Sequence, residues 1–278
     1  MLKRCLALFL FFAGPAHAAS EELVHIPVAS DAGQTVMMVA RVCHPDAPGP
    51  SRVVIINHGR SPMRAEREAL QPASCRNEAV RWFTRRGYIA VMPIRRGYGG
   101  TGGPDTEGNS GCGPYTDYIH VGLNGAHDVT AAVAFAASLP DARPNDMVMV
   151  GQSVGGLVTV AYNSMPHPKV TALINMAGGS GGHWNNQANN NCRPDRLAEA
   201  MGHFGATAVT PMLWIYTEND SFFAPAIATA LRDAFVAAGG KLTFVNPGAF
   251  AADGHTLLFG KDGSNVWAPL FEAYLKGK

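Results

Sequence analysis

Gly151-Gln152-Ser153-Val154-Gly155 is the segment of this chain best suited to do chemistry, because it closes the apolar run 147–150 with a serine flanked two residues away by glycine on each side. A serine hydroxyl is a poor nucleophile until it is lifted clear of the backbone and a base takes its proton. A sharp turn from strand to helix does the lifting, and its crowding calls for glycine at those two positions. The amides that follow, beginning with Val154, can then face a developing oxyanion at a helix start. The serine also needs an imidazole, and the imidazole a carboxylate that fixes its tautomer. The candidate base is His255, in Asp253-Gly254-His255-Thr256, between the last strand and the last helix. The candidate acid is Asp220, in Thr217-Glu218-Asn219-Asp220, after strand 212–216; Glu218 and Asp195 compete with it. Among the other histidines, His58 reads as a loop brace, and His120, His127, His167, His183 and His203 lack the strand context of a base.

The elements that must bring these residues together read as an alternation. Segments 23–28 and 35–42 form a β-hairpin about Ser30-Asp31-Ala32-Gly33. Strands follow at 53–56, 88–93, 147–150, 170–176, 211–216 and 242–245, and helices at 66–86, 121–139, 157–165, 196–204, 227–238 and 266–275. Strands alternating with helices predict a mostly parallel, eight-stranded sheet, helices on both faces, and the antiparallel hairpin at the N-terminal edge. Ligands of such sheets bind beyond the carboxyl ends of the strands, where all the candidate residues fall.

The whole chain bounds what this sheet can be for. Its 278 residues are 47% hydrophobic and 15% charged, enough for one domain over 19–278 with a sizeable core. A formal net charge of +1 argues against nucleic acid as a partner. Lys3 and Arg4, the apolar run 6–12 and Ala16-His17-Ala18 form an export signal over 1–18, cleaved after Ala18. No later segment is long and apolar enough for stable membrane insertion. A periplasmic or secreted protein is the expectation. Cys43, Cys75, Cys112 and Cys192 then form two disulfides, and three pairings are open; Cys43–Cys75 with Cys112–Cys192 is preferred, the second joining two loops on the same rim of the sheet. No C-x-x-C pair suggests a metal site, and no cofactor is expected.

Taken together, the motifs resemble the α/β-hydrolases, in the branch of the dienelactone hydrolases and prolyl oligopeptidases. Asn57-His58-Gly59-Arg60 is similar to that branch's H-G segment after the third strand. Arg96-Gly97-Tyr98-Gly99-Gly100-Thr101-Gly102 is similar to its R-G-x-G-x-S-G loop, with threonine in place of serine. The chain order Ser, Asp, His is the α/β-hydrolase order. The resemblance covers nearly all of residues 19–278 and implies the α/β-hydrolase fold, a Ser153–Asp220–His255 triad, and an oxyanion hole built from the backbone N–H groups of Val154 and Arg60. A second role for Arg60 is to hold a substrate carboxylate with its guanidinium. The implied activity is cleavage of a carboxylic ester through an acyl-enzyme, on a small-molecule ester or short peptide-like substrate. A peptidase or amidase is the alternative; peptidases of this branch carry a large propeller domain for which the chain has no room. An acyltransferase and a non-catalytic binding protein on the same fold are further alternatives. The polar insertion within 178–206, with Trp184 and the asparagines up to Asn191, is not a hallmark of the branch. It reads as a solvated loop or as a short lid over the crevice, and Tyr98, Tyr115, Trp184, Phe222 and Phe223 are candidate substrate contacts.

Overall fold

The structure, a computed structural model, describes residues 20–29, 33–46, 49–108, 111–276 and 278. The expected export signal and residues 30–32 of the hairpin turn lie outside them. Eight strands form one sheet: β1 (Glu21–Ala29), β2 (Thr35–Cys43), β3 (Ser51–Asn57), β4 (Tyr88–Pro93), β5 (Ala142–Gln152), β6 (Val170–Met176), β7 (Met212–Ile215) and β8 (Leu242–Val245). Their order is β1-β2-β4-β3-β5-β6-β7-β8. β2 runs antiparallel to both β1 and β4, and every other pair is parallel.

The continuous apolar runs in the central strands follow from burial on both faces. In β3, Val53 and Ile55 enter one core, and Val54 and Ile56 the other. In β5, Met147 and Met149 divide from Val148 and Val150 in the same way. Packed on the first face are α3 (Tyr118–Ser138), α4 (Val154–Asn163), α5 (Pro194–Gly205) and α6 (Pro225–Ala237). The second face is covered by α2 (Glu78–Thr84) and α7 (Ser264–Leu275), where Trp82, Trp267 and Phe271 form an aromatic cluster with ring centroids 4.6–5.9 Å apart.

The helix expected over 66–86 is two helices, α1 (Arg64–Glu68) and α2. Pro72 lies between them and lacks the N–H a continuous helix would need. Cys75 in the same gap is bonded to Cys43 at the end of β2, and Asn77 then starts α2 by accepting a hydrogen bond from the Ala79 N–H at 2.9 Å.

The topology dictates where a site can form. From β3 the chain moves outward to β4, then returns to the other side of β3 to make β5. The order reverses there, so a crevice opens beyond the carboxyl ends of β3 and β5. The register pairs Asn57 with Gly151, which sets residues 58–60 beside residues 152–154.

Candidate active site

Ser153 occupies the turn between β5 and α4 with φ 58° and ψ −126°. A non-glycine residue reaches this region only at a cost of about 1–3 kcal/mol, so the surroundings must hold it there. They do so with backbone hydrogen bonds: the Ser153 N–H donates to Met176 O at 3.0 Å, and its carbonyl accepts from Gly156 and Leu157 at 2.8 and 3.1 Å. The flanking glycines are sterically required, since a Cβ on Gly151 would collide with the Gly155 carbonyl, and one on Gly155 would lie 2.5 Å from the carbonyl oxygens of Asn57 and His58. Val154 is the first residue of α4, so its N–H has no partner within the helix. A Cβ on Gly59 would be 3.1 Å from Ser153 Cβ, so segment 58–60 lies directly against the serine. Ser153 itself is 6% exposed.

Asp220 and His255 meet although they leave different strands. His255 Nδ1 is 3.0 Å from each Asp220 carboxylate oxygen. A carboxylate only accepts, so Nδ1 carries the proton and Nε2 is left to face elsewhere. Asp220 Oδ1 also accepts the N–H groups of Phe222 and Phe223 at 2.7 and 2.9 Å, which fixes the carboxylate on its loop. The two loops are tied to each other by Asn219, which donates to Phe250 O and Ala251 O and accepts from the Phe250 N–H. Asp220 is 1% exposed and His255 7%.

The serine is joined to this pair through neighbours. The Gln152 side-chain amide donates to the His255 carbonyl. Phe222 and Phe223 touch the His255 ring, with centroids 4.0 and 5.7 Å away, and line one cavity with Ser153 and Val154. Among the described residues, the Ser153 hydroxyl makes no hydrogen bond to the His255 ring; such contacts are often long without substrate and tighten when it binds. The competing acids stand apart. Asp195, in the first turn of α5, pairs with Arg193 just before that helix, whose hydrogen bond lowers its pKa to about 2, and Glu218 is exposed.

His58 is a loop brace. Its Nε2 accepts the Arg95 N–H at 3.1 Å, so the proton is on Nδ1, which donates to Gly59 O at 2.7 Å. Burial, with the Arg95 charge second, holds its pKa well below the usual histidine value.

The cavity beside Ser153 has a volume of about 290 Å³. Its lining includes Arg60, Ser61, Pro62, Arg67 and Glu107, together with Ser180, His183, Trp184, Cys192, Phe222 and Phe223. Trp184 and Phe222 therefore lie where a substrate could touch them. Tyr98 does not: it is 1% exposed and off the cavity wall, because its hydroxyl is committed to Glu107 at 2.6 Å and accepts from Arg60 at 2.9 Å. Tyr115, 84% exposed, is also outside this cavity. The Arg60 guanidinium has no free fork for a substrate carboxylate, since Asp105 already holds it at 2.7 and 2.6 Å. Glu107, paired with Arg95 where neither side chain is exposed, anchors this wall.

The disulfides are Cys43–Cys75 and Cys112–Cys192, with Cα separations of 5.7 and 5.4 Å. Cys192 is part of the cavity wall. Residues 184–189 of the insertion are exposed to solvent, as a solvated loop would be, but the loop is tethered to its neighbours and does not stand off the crevice. Asn189 donates its N–H to Ser221 O at 2.7 Å and accepts the Ala224 N–H at 3.0 Å, and the Asn191 side chain donates to Phe222 O at 2.7 Å. It thus docks on the loop that carries Asp220. Asp253, Gln152 and Glu107 were not singled out by sequence as partners of the site. They act through contacts between distant loops, and no spacing within the chain encodes those.

No family model matches this sequence, and no curated protein matches it. Solved structures do. A Klebsiella pneumoniae structure described as a dienelactone hydrolase superposes with TM-score 0.59 at 18% identity, over 94% of this chain and 100% of that one. An esterase from Pyrococcus furiosus gives TM-score 0.57 at 13% identity, over 92% and 91%. An acylaminoacyl peptidase from Pyrococcus horikoshii gives TM-score 0.62 at 13% identity; 92% of this chain matches 41% of that one. The fold is the α/β-hydrolase fold, with its antiparallel edge and helices on both faces.

Proposed function

We propose that this chain is a serine hydrolase that cleaves carboxylic esters through an acyl-enzyme. The observation that carries the reading is the Asp220–His255 pair, 3.0 Å apart and stacked against the wall of the cavity into which the strained Ser153 turn opens. Ser153 Oγ attacks the ester carbonyl while His255 Nε2 takes its proton, and Asp220 holds the ring in the Nδ1–H form and stabilises the imidazolium. The oxyanion is met by the N–H groups of Val154 and Arg60; one such donor contributes roughly 2.7–4 kcal/mol to the transition state. The imidazolium returns the proton to the departing alkoxide. Water, deprotonated by the same imidazole, then releases the acid and restores Ser153.

A cavity of about 290 Å³ suits a small acyl group better than a long chain. The fit to an acylaminoacyl peptidase supports a second reading, cleavage of a small amide by the same steps. Two disulfides fit an oxidising compartment, which agrees with export; no helix among the described residues is long and apolar enough to cross a membrane. The test is p-nitrophenyl acetate turnover together with labelling by a fluorophosphonate. Turnover abolished in Ser153→Ala, with a wild-type circular dichroism spectrum and label on Ser153 alone, is the expected result. Undiminished turnover in that variant would remove the serine mechanism.

A further inference from the structure

We propose that His183, in the polar insertion, is a positioning residue for His255, acting through Phe222 and through Ser221 and Asp253. The proposal rests on the reading of Ser153, Asp220 and His255 as the hydrolytic set. The His183 ring stacks on Phe222 with centroids 3.7 Å apart and planes 13° from parallel. Phe222 stacks on His255 at 4.0 Å and 21°. Two rings cannot share one face of a phenyl group at these separations, so Phe222 is clamped between the two imidazoles.

A second connection runs through hydrogen bonds. The Ser221 hydroxyl donates to Asp253 Oδ2 at 2.6 Å. Its single proton is thereby used, so His183 Nε2, 3.0 Å from Ser221 Oγ, is the donor in that contact. Asp253 Oδ1 accepts the N–H groups of both Ser221 and His255 at 3.0 Å. His183, Ser221 and Asp253 are the residue types of a triad in a different order. With the hydroxyl in the middle and its proton committed to the carboxylate, the serine here is a link and not a nucleophile. One end of the chain fixes the backbone of His255 and the other fixes the ring that presses on its imidazole.

The Asp220 bond sets which way Nδ1 points but leaves the imidazole free to tilt about that bond. The Phe222 face removes the tilt, and His183 keeps Phe222 from turning away. Displacing a reacting group by about 1 Å can cost on the order of 100-fold in rate, so a small tilt at Nε2 matters.

Four variants of the full chain separate the connections. His183→Ala removes both, His183→Phe keeps the stack without the donor, Ser221→Ala cuts the hydrogen-bond link, and the double variant His183→Ala/Ser221→Ala tests whether they share a route. With p-nitrophenyl acetate, His183→Ala lowers kcat about tenfold with KM within about threefold of wild type, and His183→Phe and Ser221→Ala each lose about threefold. The double variant loses no more than His183→Ala alone. An independent readout needs no turnover: in a Ser153→Ala background, the NMR signal of the His255 ring Hε1 proton moves when His183→Ala lets Phe222 reorient. Wild-type kcat, a loss confined to KM, or an unmoved His255 signal overturns the proposal. Should the wild type show no Ser153-dependent turnover, the hydrolase reading fails while the NMR arm still decides the coupling. If His183→Ala does not fold, His183→Phe and Ser221→Ala carry the same comparison.

Discussion

The side-chain amide of Gln152 donates to the backbone carbonyl of His255, 103 positions later, tying the residue before the serine to the loop that carries the imidazole. The serine turn and the histidine loop are thus fixed to each other even though Ser153 and His255 share no direct bond. Removing the amide with Gln152→Ala leaves that carbonyl without its partner and lets the loop shift. A fall in kcat of about 10-fold, with KM little changed, is expected in steady-state kinetics. Asp220→Asn acts at the other side of the ring. It presents an amide where Nδ1–H needs an acceptor, favours the wrong tautomer, and should lower kcat about 10⁴-fold while leaving thermal unfolding close to wild type.

Ser153 stores backbone strain at φ 58°. Glycine adopts that conformation without the Cβ clash. Ser153→Gly should therefore raise unfolding free energy by about 1 kcal/mol as it abolishes turnover, whereas Ser153→Ala, which keeps a Cβ, abolishes turnover without that gain. Urea titration of both variants against wild type distinguishes them, and equal midpoints would contradict the strain argument.

His58 makes stability depend on pH in a defined direction. Burial and the Arg95 charge hold its folded pKa well below the ordinary histidine value. The unfolded chain therefore takes up this proton first as pH falls. The contribution is present in full above about pH 6.5 and is lost progressively below it, toward the folded pKa. Unfolding free energy measured from pH 7 to pH 5 should fall, and His58→Gln should flatten that slope. An identical slope in the variant would assign the effect to another group.

The two disulfides close loops of different size, with sequence separations of 80 for Cys112–Cys192 and 32 for Cys43–Cys75. Loop-closure entropy then predicts a loss of about 4.5 kcal/mol for Cys112→Ser/Cys192→Ser and about 3.7 kcal/mol for Cys43→Ser/Cys75→Ser. Only the first pair borders the cavity, so only the first should also raise KM for p-nitrophenyl acetate.

Much of this protein was legible in the linear order of its residues because the relevant forces are local. Alternating β-branched runs and amphipathic segments specify strands and helices within a few residues, and the crowding around Ser153 selects Gly151 and Gly155 within the same turn. Pro72 and Asn77 could have divided segment 66–86, but its helical composition hid them. What the sequence did not contain was the meeting of separate loops. That Tyr98 turns inward to Glu107, that Asp105 takes up the Arg60 guanidinium, and that the asparagine-rich insertion docks on residues 221–224 all depend on which strand ends the sheet places side by side. Strand order and register fix those distances, and they arise from burial summed over the whole sheet, which no local pattern reports.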